Sequence, residues 1–240
     1  MDGVYAQHLM AAPRGMCAAP AALYPGAMST RPIAFYFDYT SPYSYLASTE
    51  VESLAARIDA ALTWHPAFLG AIMKATGNQP PAMLPTRAAY MAADLARQAD
   101  HQGVPMRFSP YFPMASQHAM RATLAVQATD PVHAVAYIHA LFRAAWVDGE
   151  DIGDRGVLGT LASRVGADPA LAAGATDDPR WKDALRKNTE DALAVGAFGL
   201  PVVVYEAEMY FGNDRLALVE ARARRGSPWS PPLTTGPVTF

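Results

Sequence analysis

The tightest constraint on the fold is a wide gap between short apolar segments of strand length. Residues 33–38 (IAFYFD) form an apolar, aromatic run suited to a buried strand. A second candidate follows at residues 61–68 (ALTWHPAF), where Pro66 confines the strand to a sheet edge or marks its end. The next strand-like segments are residues 201–205 (PVVVY) and 209–211, which read as a hairpin. The intervening chain has helical patterning. Residues 87–99, 116–129, 132–146, 157–165 and 180–195 read as helices, separated by Pro80-Pro81, Pro85, Pro105, Pro110 and Pro113. A last helix is expected over residues 214–225, with Asn213 or Asp214 as its cap.

Between the first two strands, Ser41-Pro42 is a helix-start signal. Serine is a preferred N-cap, and proline at the first helical position forfeits no intrahelical bond. Behind it, Ala47, Val51, Leu54 and Ile58 recur on one face and predict a single amphipathic helix. The order is therefore β-α-β, a helical block, then α-β-β-α. This is the α/β thioredoxin order, carrying a large all-helical insertion of DsbA-like type at about residues 70–180. The expected organisation is a tail over residues 1–30, one domain over 31–226, and an extended, proline-rich tail over 227–240.

Composition narrows the function classes. With 51% hydrophobic and 17% charged residues, the chain can bury a sizeable core. A net charge of −3 gives no basic footprint for nucleic acid. Arg222, Arg224 and Arg225 are expected only to complement the end of the last helix. No apolar run is long enough to span a membrane. The start of the chain lacks the basic and apolar blocks of a signal peptide, so a cytoplasmic location is expected. The single cysteine, Cys17, lies in the tail and excludes an intrachain disulfide or a CxxC pair. The histidines His65, His118, His133 and His139 lack metal-ligand spacing, so no metal site is expected. Trp64, Trp146 and Trp181 are expected in the core, and Lys74 either meets an anionic substrate or is solvated.

The chemistry centres on Ser41-Pro42-Tyr43-Ser44, directly after a strand. Free N–H groups at a helix start favour an anion, and this is where a redox thioredoxin carries CxxC. Serine occupies both cysteine positions here, so disulfide exchange is excluded. The Ser41 hydroxyl can donate to a thiolate brought by a ligand, or serve only as an N-cap. The second element is Gly199-Leu200-Pro201, where this fold places a cis-proline facing the helix start. Pro201 is that candidate, and it would expose the Leu200 backbone to a peptide-like ligand.

Five ordered segments, YFDYTSPYSYLAS, GAIMKATGNQPPAMLP, RAAYMAADLAR, GAFGLPVVV and YFGNDRL, resemble 2-hydroxychromene-2-carboxylate isomerases and kappa-class glutathione transferases. The resemblance covers about residues 33–225. It implies glutathione as cofactor, Ser41 as the group that contacts and activates its sulfur, and Leu200 pairing with the cysteinyl backbone. It also implies that Asn78 and Arg87 hold part of the tripeptide, while Asn213 and Asp214 hold the γ-glutamyl end. Arg87 stands where kappa transferases often carry lysine, and Asn213 where they can carry serine.

The activity implied is a glutathione-dependent cis-trans isomerisation of a conjugated aromatic keto acid. Consumption of glutathione by a kappa-type transferase is the alternative. GAIMKATGN and GLPVVV lean toward the transferase, and SYLAS toward the isomerase. A non-catalytic thioredoxin-fold binding module is the rival from another class. The partners implied are a small aromatic substrate and, from the family, a second copy in a homodimer.

Overall fold

In this computed structural model the structure describes residues 31–229. Cys17 and the expected 1–30 tail lie outside the described residues, as does most of the expected 227–240 tail. Four strands form one mixed sheet in the order β2-β1-β3-β4. Strand β1 (Pro32–Phe37) pairs in parallel with β2 (Ala61–Pro66), setting Phe35 opposite Trp64. On its other side β1 runs antiparallel to β3 (Val202–Tyr205), with Phe35 opposite Val203, and β3 turns into β4 (Glu208–Phe211). Pro66 closes an edge strand, where its missing N–H leaves no ladder bond unmade.

The period of two in β1 sorts the layers. Ile33, Phe35 and Phe37 enter the main core, whereas Tyr36 faces a smaller cluster with Ile72, Ala192, Leu200 and Val202. The crossover from β1 to β2 contains α1 (Pro42–Ser48) and α2 (Val51–Arg57) instead of one helix. The break falls at Thr49, the C-cap of α1, whose hydroxyl donates to the Leu46 carbonyl at 2.8 Å, and at Glu50, which precedes α2 without a side-chain cap bond. The apolar face survives the interruption, since Ala47, Val51, Leu54 and Ile58 are all buried.

Helix α3 (Leu69–Thr76) and α4 (Pro85–Gln102) follow β2. Then come α5 (Gln117–Thr129), α6 (Pro131–Arg143), α7 (Arg155–Val165), the short α8 (Pro169–Gly174) and α9 (Pro179–Ala194). The insertion helices α5 to α7 pack on the main-core face, and α3 and α9 cover the other. A π-helical turn, Ala144–Asp148, continues α6 and carries Trp146, which is buried with Trp64 in the main core. Trp181 is half-buried beneath the Arg180 guanidinium.

The chain closes with α10 (Leu216–Arg225). Asn213 and Asp214 do not cap it: they lie in a 3-10 turn, Asn213–Arg215, whose N-cap is Gly212 and which has no side-chain cap bond. Arg222, Arg224 and Arg225 all lie in the last turn of α10, as the expected complement to its end, and Arg222 does more. It is buried, pairing with Glu206 at 2.6 Å and Glu208 at 3.2 Å. Arg224 pairs with Glu220, and Arg225 lies over the Trp229 ring. Among the described residues, no helix is long and apolar enough to cross a membrane.

Candidate functional site

The site grows from the turn that ends β1. Asp38 is wholly buried; its Oδ1 accepts from the Thr40 N–H at 3.0 Å and its Oδ2 from the Leu69 N–H at 2.9 Å. One carboxyl thus fixes both the β1–α1 turn and the first residue of α3. Burial pushes its pKa up, against the lowering effect of the N–H groups it accepts. The insertion clamps the same turn from the other side. The Trp146 indole N–H donates to the Tyr39 carbonyl at 2.8 Å, and the Tyr39 hydroxyl meets Thr123 Oγ1 at 2.7 Å.

Ser41 sits at the end of this turn in extended conformation, only 3% exposed. Its Oγ accepts from the Ser44 N–H at 3.2 Å, which is the N-cap bond. The same hydroxyl donates to the Leu200 carbonyl at 2.9 Å, across a sequence separation of 159 residues. Capping is therefore one of two roles. The Ser44 hydroxyl, at the second position where a redox relative carries cysteine, is buried without a hydrogen-bond partner among the described residues. The Tyr43 N–H likewise donates to no described residue, because Pro42 and Tyr43 lie too early in α1 to bond within it.

The Leu200–Pro201 peptide is cis. The Pro201 carbonyl accepts from the Gly212 N–H at 3.0 Å, which draws the segment after β4 against the Leu200 loop. Gly212 has φ +98° and ψ 152°, a conformation open essentially to glycine. A Cβ there would stand 2.7 Å from the Asp214 Oδ1, so this glycine lets the carboxylate approach the backbone. Asp214 pairs with the Arg215 guanidinium at 2.5 Å, and both side chains are about half-exposed. Asn213 is buried, and its Nδ2 donates to the Gln98 Oε1 on α4.

Asn78 reaches the same loop from the far side. It follows the left-handed Gly77 that ends α3, and its Nδ2 donates to the Phe198 carbonyl at 3.1 Å. Arg87 has different surroundings, on α4. It lines a cleft of about 380 Å³ with Tyr43, Pro81, Thr86, Tyr90 and Met91, and makes no hydrogen bond or ion pair with a described residue. Lys74 is exposed and also unpaired among the described residues.

Sequence reasoning assigned no role to Tyr43, Asp94, Gln98 or Gly212. The Tyr43 hydroxyl donates to Asp94 Oδ2 at 3.1 Å, and burial together with the Asp94 charge raises its pKa, keeping the phenol protonated. Asp94 and Gln98 stand four apart on one face of α4, the only trace they leave in the sequence. Their partners on α1 and in the 3-10 turn are set by tertiary packing.

Comparison with known proteins adds four findings. The model of the DSBA-like thioredoxin domain matches residues 32–223. Human glutathione S-transferase kappa 1 is 30% identical over 215 residues, 85% of this chain and 94% of that protein. The 2-hydroxychromene-2-carboxylate isomerase of Sphingobium xenophagum is 31% identical over 195 residues, 80% of this chain and 97% of that protein. A solved structure of a 2-hydroxychromene-2-carboxylate isomerase superposes with a TM-score of 0.74 at 25% identity, covering 81% of this chain and 95% of that one.

Proposed function

The chain belongs to the DsbA-like thioredoxin-domain family, with the kappa-class glutathione transferases and 2-hydroxychromene-2-carboxylate isomerases, and we propose that it is a glutathione-dependent cis-trans isomerase of a conjugated aromatic keto acid. The observation that carries the reading is the Ser41 Oγ–Leu200 carbonyl contact at 2.9 Å, which joins the helix start to the loop before β3 with serine in place of a reactive cysteine.

The groups around this contact fit the tripeptide. Glutathione presents one thiol, two carboxylates, one ammonium and peptide N–H groups. Leu200 offers a carbonyl to the cysteinyl N–H, Asp214 a carboxylate to the ammonium, and Asn78 an amide to the peptide backbone. Arg87, which makes no ion pair with a described residue, is a cation available to a carboxylate. When bound, glutathione supplies a thiolate that adds reversibly to the conjugated double bond, leaving a single bond free to rotate before the thiolate is expelled.

Ser41 has one hydroxyl proton, which it donates to the Leu200 carbonyl. A cysteinyl N–H that takes over this carbonyl releases the Ser41 proton to face the sulfur. Ser41 then stabilises negative charge there, supported by the Tyr43 N–H, which donates to no described residue. Rotation of the substrate needs space, which the cleft beside Tyr43 offers. The kappa-transferase reading shares this thiolate chemistry but consumes glutathione. An absorbance assay of the isomerisation, with and without glutathione, together with a count of glutathione remaining, tests the proposal. Turnover that requires glutathione and leaves it intact is expected. Stoichiometric loss of glutathione would assign a transferase, and absence of both binding and turnover a non-catalytic module.

A further inference from the structure

Four polar side chains run in series from α1 through α4 to the turn before α10. Tyr43 donates its hydroxyl to Asp94 Oδ2 at 3.1 Å, and Gln98 donates its Nε2 to the same oxygen at 2.6 Å. Asn213 donates its Nδ2 to the Gln98 Oε1 at 2.5 Å. The series has a direction, and its chemistry forces that direction. An ionised carboxylate only accepts, so Gln98 must turn its amide nitrogen to Asp94 and its oxygen away. That oxygen can be met only by a donor, so Asn213 turns its nitrogen inward as well. The Asn213 Oδ1 is left as an acceptor with no partner among the described residues.

Asn213 adjoins Asp214 in the turn whose backbone is tied to Pro201 through Gly212. We propose that Asp94 and Gln98, on the helical insertion, are positioning residues that set the polarity of the Asn213 amide, so that its Oδ1 joins the Asp214 carboxylate in accepting hydrogen bonds from the ammonium of the γ-glutamyl group. This rests on the glutathione reading above and extends it to residues that touch no ligand. It also gives the insertion a part in recognition beyond covering the core. Selectivity for the ammonium depends on a carboxylate two side chains away, because the opposite amide orientation would present N–H groups to a cation.

The test measures a preference. Titration calorimetry compares glutathione with glutaryl-cysteinylglycine, which retains the whole tripeptide except the γ-glutamyl amino group. The wild-type protein is expected to prefer glutathione. Asp94→Asn allows both amides to reverse, and Gln98→Met cuts the series without changing charge; each should shrink the preference about tenfold. Adding Asn213→Ala to either variant should cost little more, since all act on one interaction. A merely structural role would weaken both ligands equally and leave the ratio unchanged, and that result overturns the proposal. A shift in Asp94→Asn alone would assign the effect to charge at a distance and overturn the relay. A wild-type protein that binds neither ligand would refute the glutathione reading itself, an outcome distinct from binding without preference. Gln98 is half-buried, so Gln98→Met provides the test even if Asp94→Asn does not fold.

Discussion

Replacing Asp214 with asparagine isolates charge from shape at the γ-glutamyl end of the site. The side chain keeps its size, and no cap is lost, because the 3-10 turn starts at Gly212 without a side-chain cap bond. Among the described residues the change removes the ion pair with Arg215, whose partners are 58% and 50% exposed, and the effect of the Asp214 charge on Tyr43. Exposed pairs contribute about 0–1 kcal/mol, which for a domain of this size moves Tm by no more than about 4 °C. The effect on the ligand should be larger. An ammonium that loses a charged hydrogen-bond partner loses about 1.5–3 kcal/mol, or roughly ten- to a hundredfold in Kd. Calorimetric titration should find glutathione and γ-glutamylcysteine weakened alike, with cysteinylglycine unaffected. Equal glutathione affinity in wild type and Asp214→Asn would refute the reasoning and leave Asp214 as a surface partner of Arg215.

Three other outcomes follow from the structure. Gly212→Ala must place a Cβ 2.7 Å from the Asp214 Oδ1 at a φ of +98°, so a loss of about 1–3 kcal/mol in thermal unfolding and weaker glutathione binding are expected. An unchanged Tm would remove the strain argument. His65, stacked on Tyr36 and bonded to Thr63, has its pKa lowered to about 4 by burial, against the opposing charge of Asp191. Its folded pKa lies below the unfolded value near 6.5, so its contribution is complete above that pH and is lost as pH falls toward about 4, by up to about 3 kcal/mol. Melting curves of His65→Gln should lack this component, and an identical pH profile would contradict it. Deleting residues 1–27 should leave Tm and glutathione affinity intact, because the β1 pairings begin at Pro32; loss of either would make the segment part of the fold.

The elements visible in the sequence are those with local causes. An apolar run made β1, Ser41-Pro42 opened α1, and PVVVY made β3, each through propensity or capping within a few residues. Helix α3 had no such signal. Its N-cap, Phe68, has no side-chain cap bond, and its first N–H groups are met by Thr189 and Asp38 from distant parts of the chain. The division between α1 and α2 was hidden because the apolar spacing continues through it, from Ala47 to Val51, Leu54 and Ile58. FGND read as a cap because asparagine and aspartate favour caps, yet the positive φ of Gly212 turns the chain first and aims Asn213 inward at Gln98. Ser41 and Leu200 were legible as two motifs, and their hydrogen bond joins them. Asn78 and Arg87, nine positions apart, have different surroundings: Asn78 follows the Gly77 that ends α3 and meets the Phe198 carbonyl, while Arg87 lies on α4 beyond a proline-rich link and lines the cleft beside Tyr43.

If glutathione is held here as a thiolate stabilised by Ser41, titrating the bound thiol through its ultraviolet absorbance reads that stabilisation at the sulfur itself. Free thiols of this kind ionise near pH 8.5. In complex with the wild-type protein the transition should fall to lower pH, and in Ser41→Ala it should return upward by about one to two units, the equivalent of one lost hydrogen bond to a charged group. Ser41→Ala also removes the cap bond to Ser44 and leaves the Leu200 carbonyl without its donor, so the variant is compared at a temperature where it remains folded. A bound thiol that titrates at the same pH in wild type and Ser41→Ala would contradict the account.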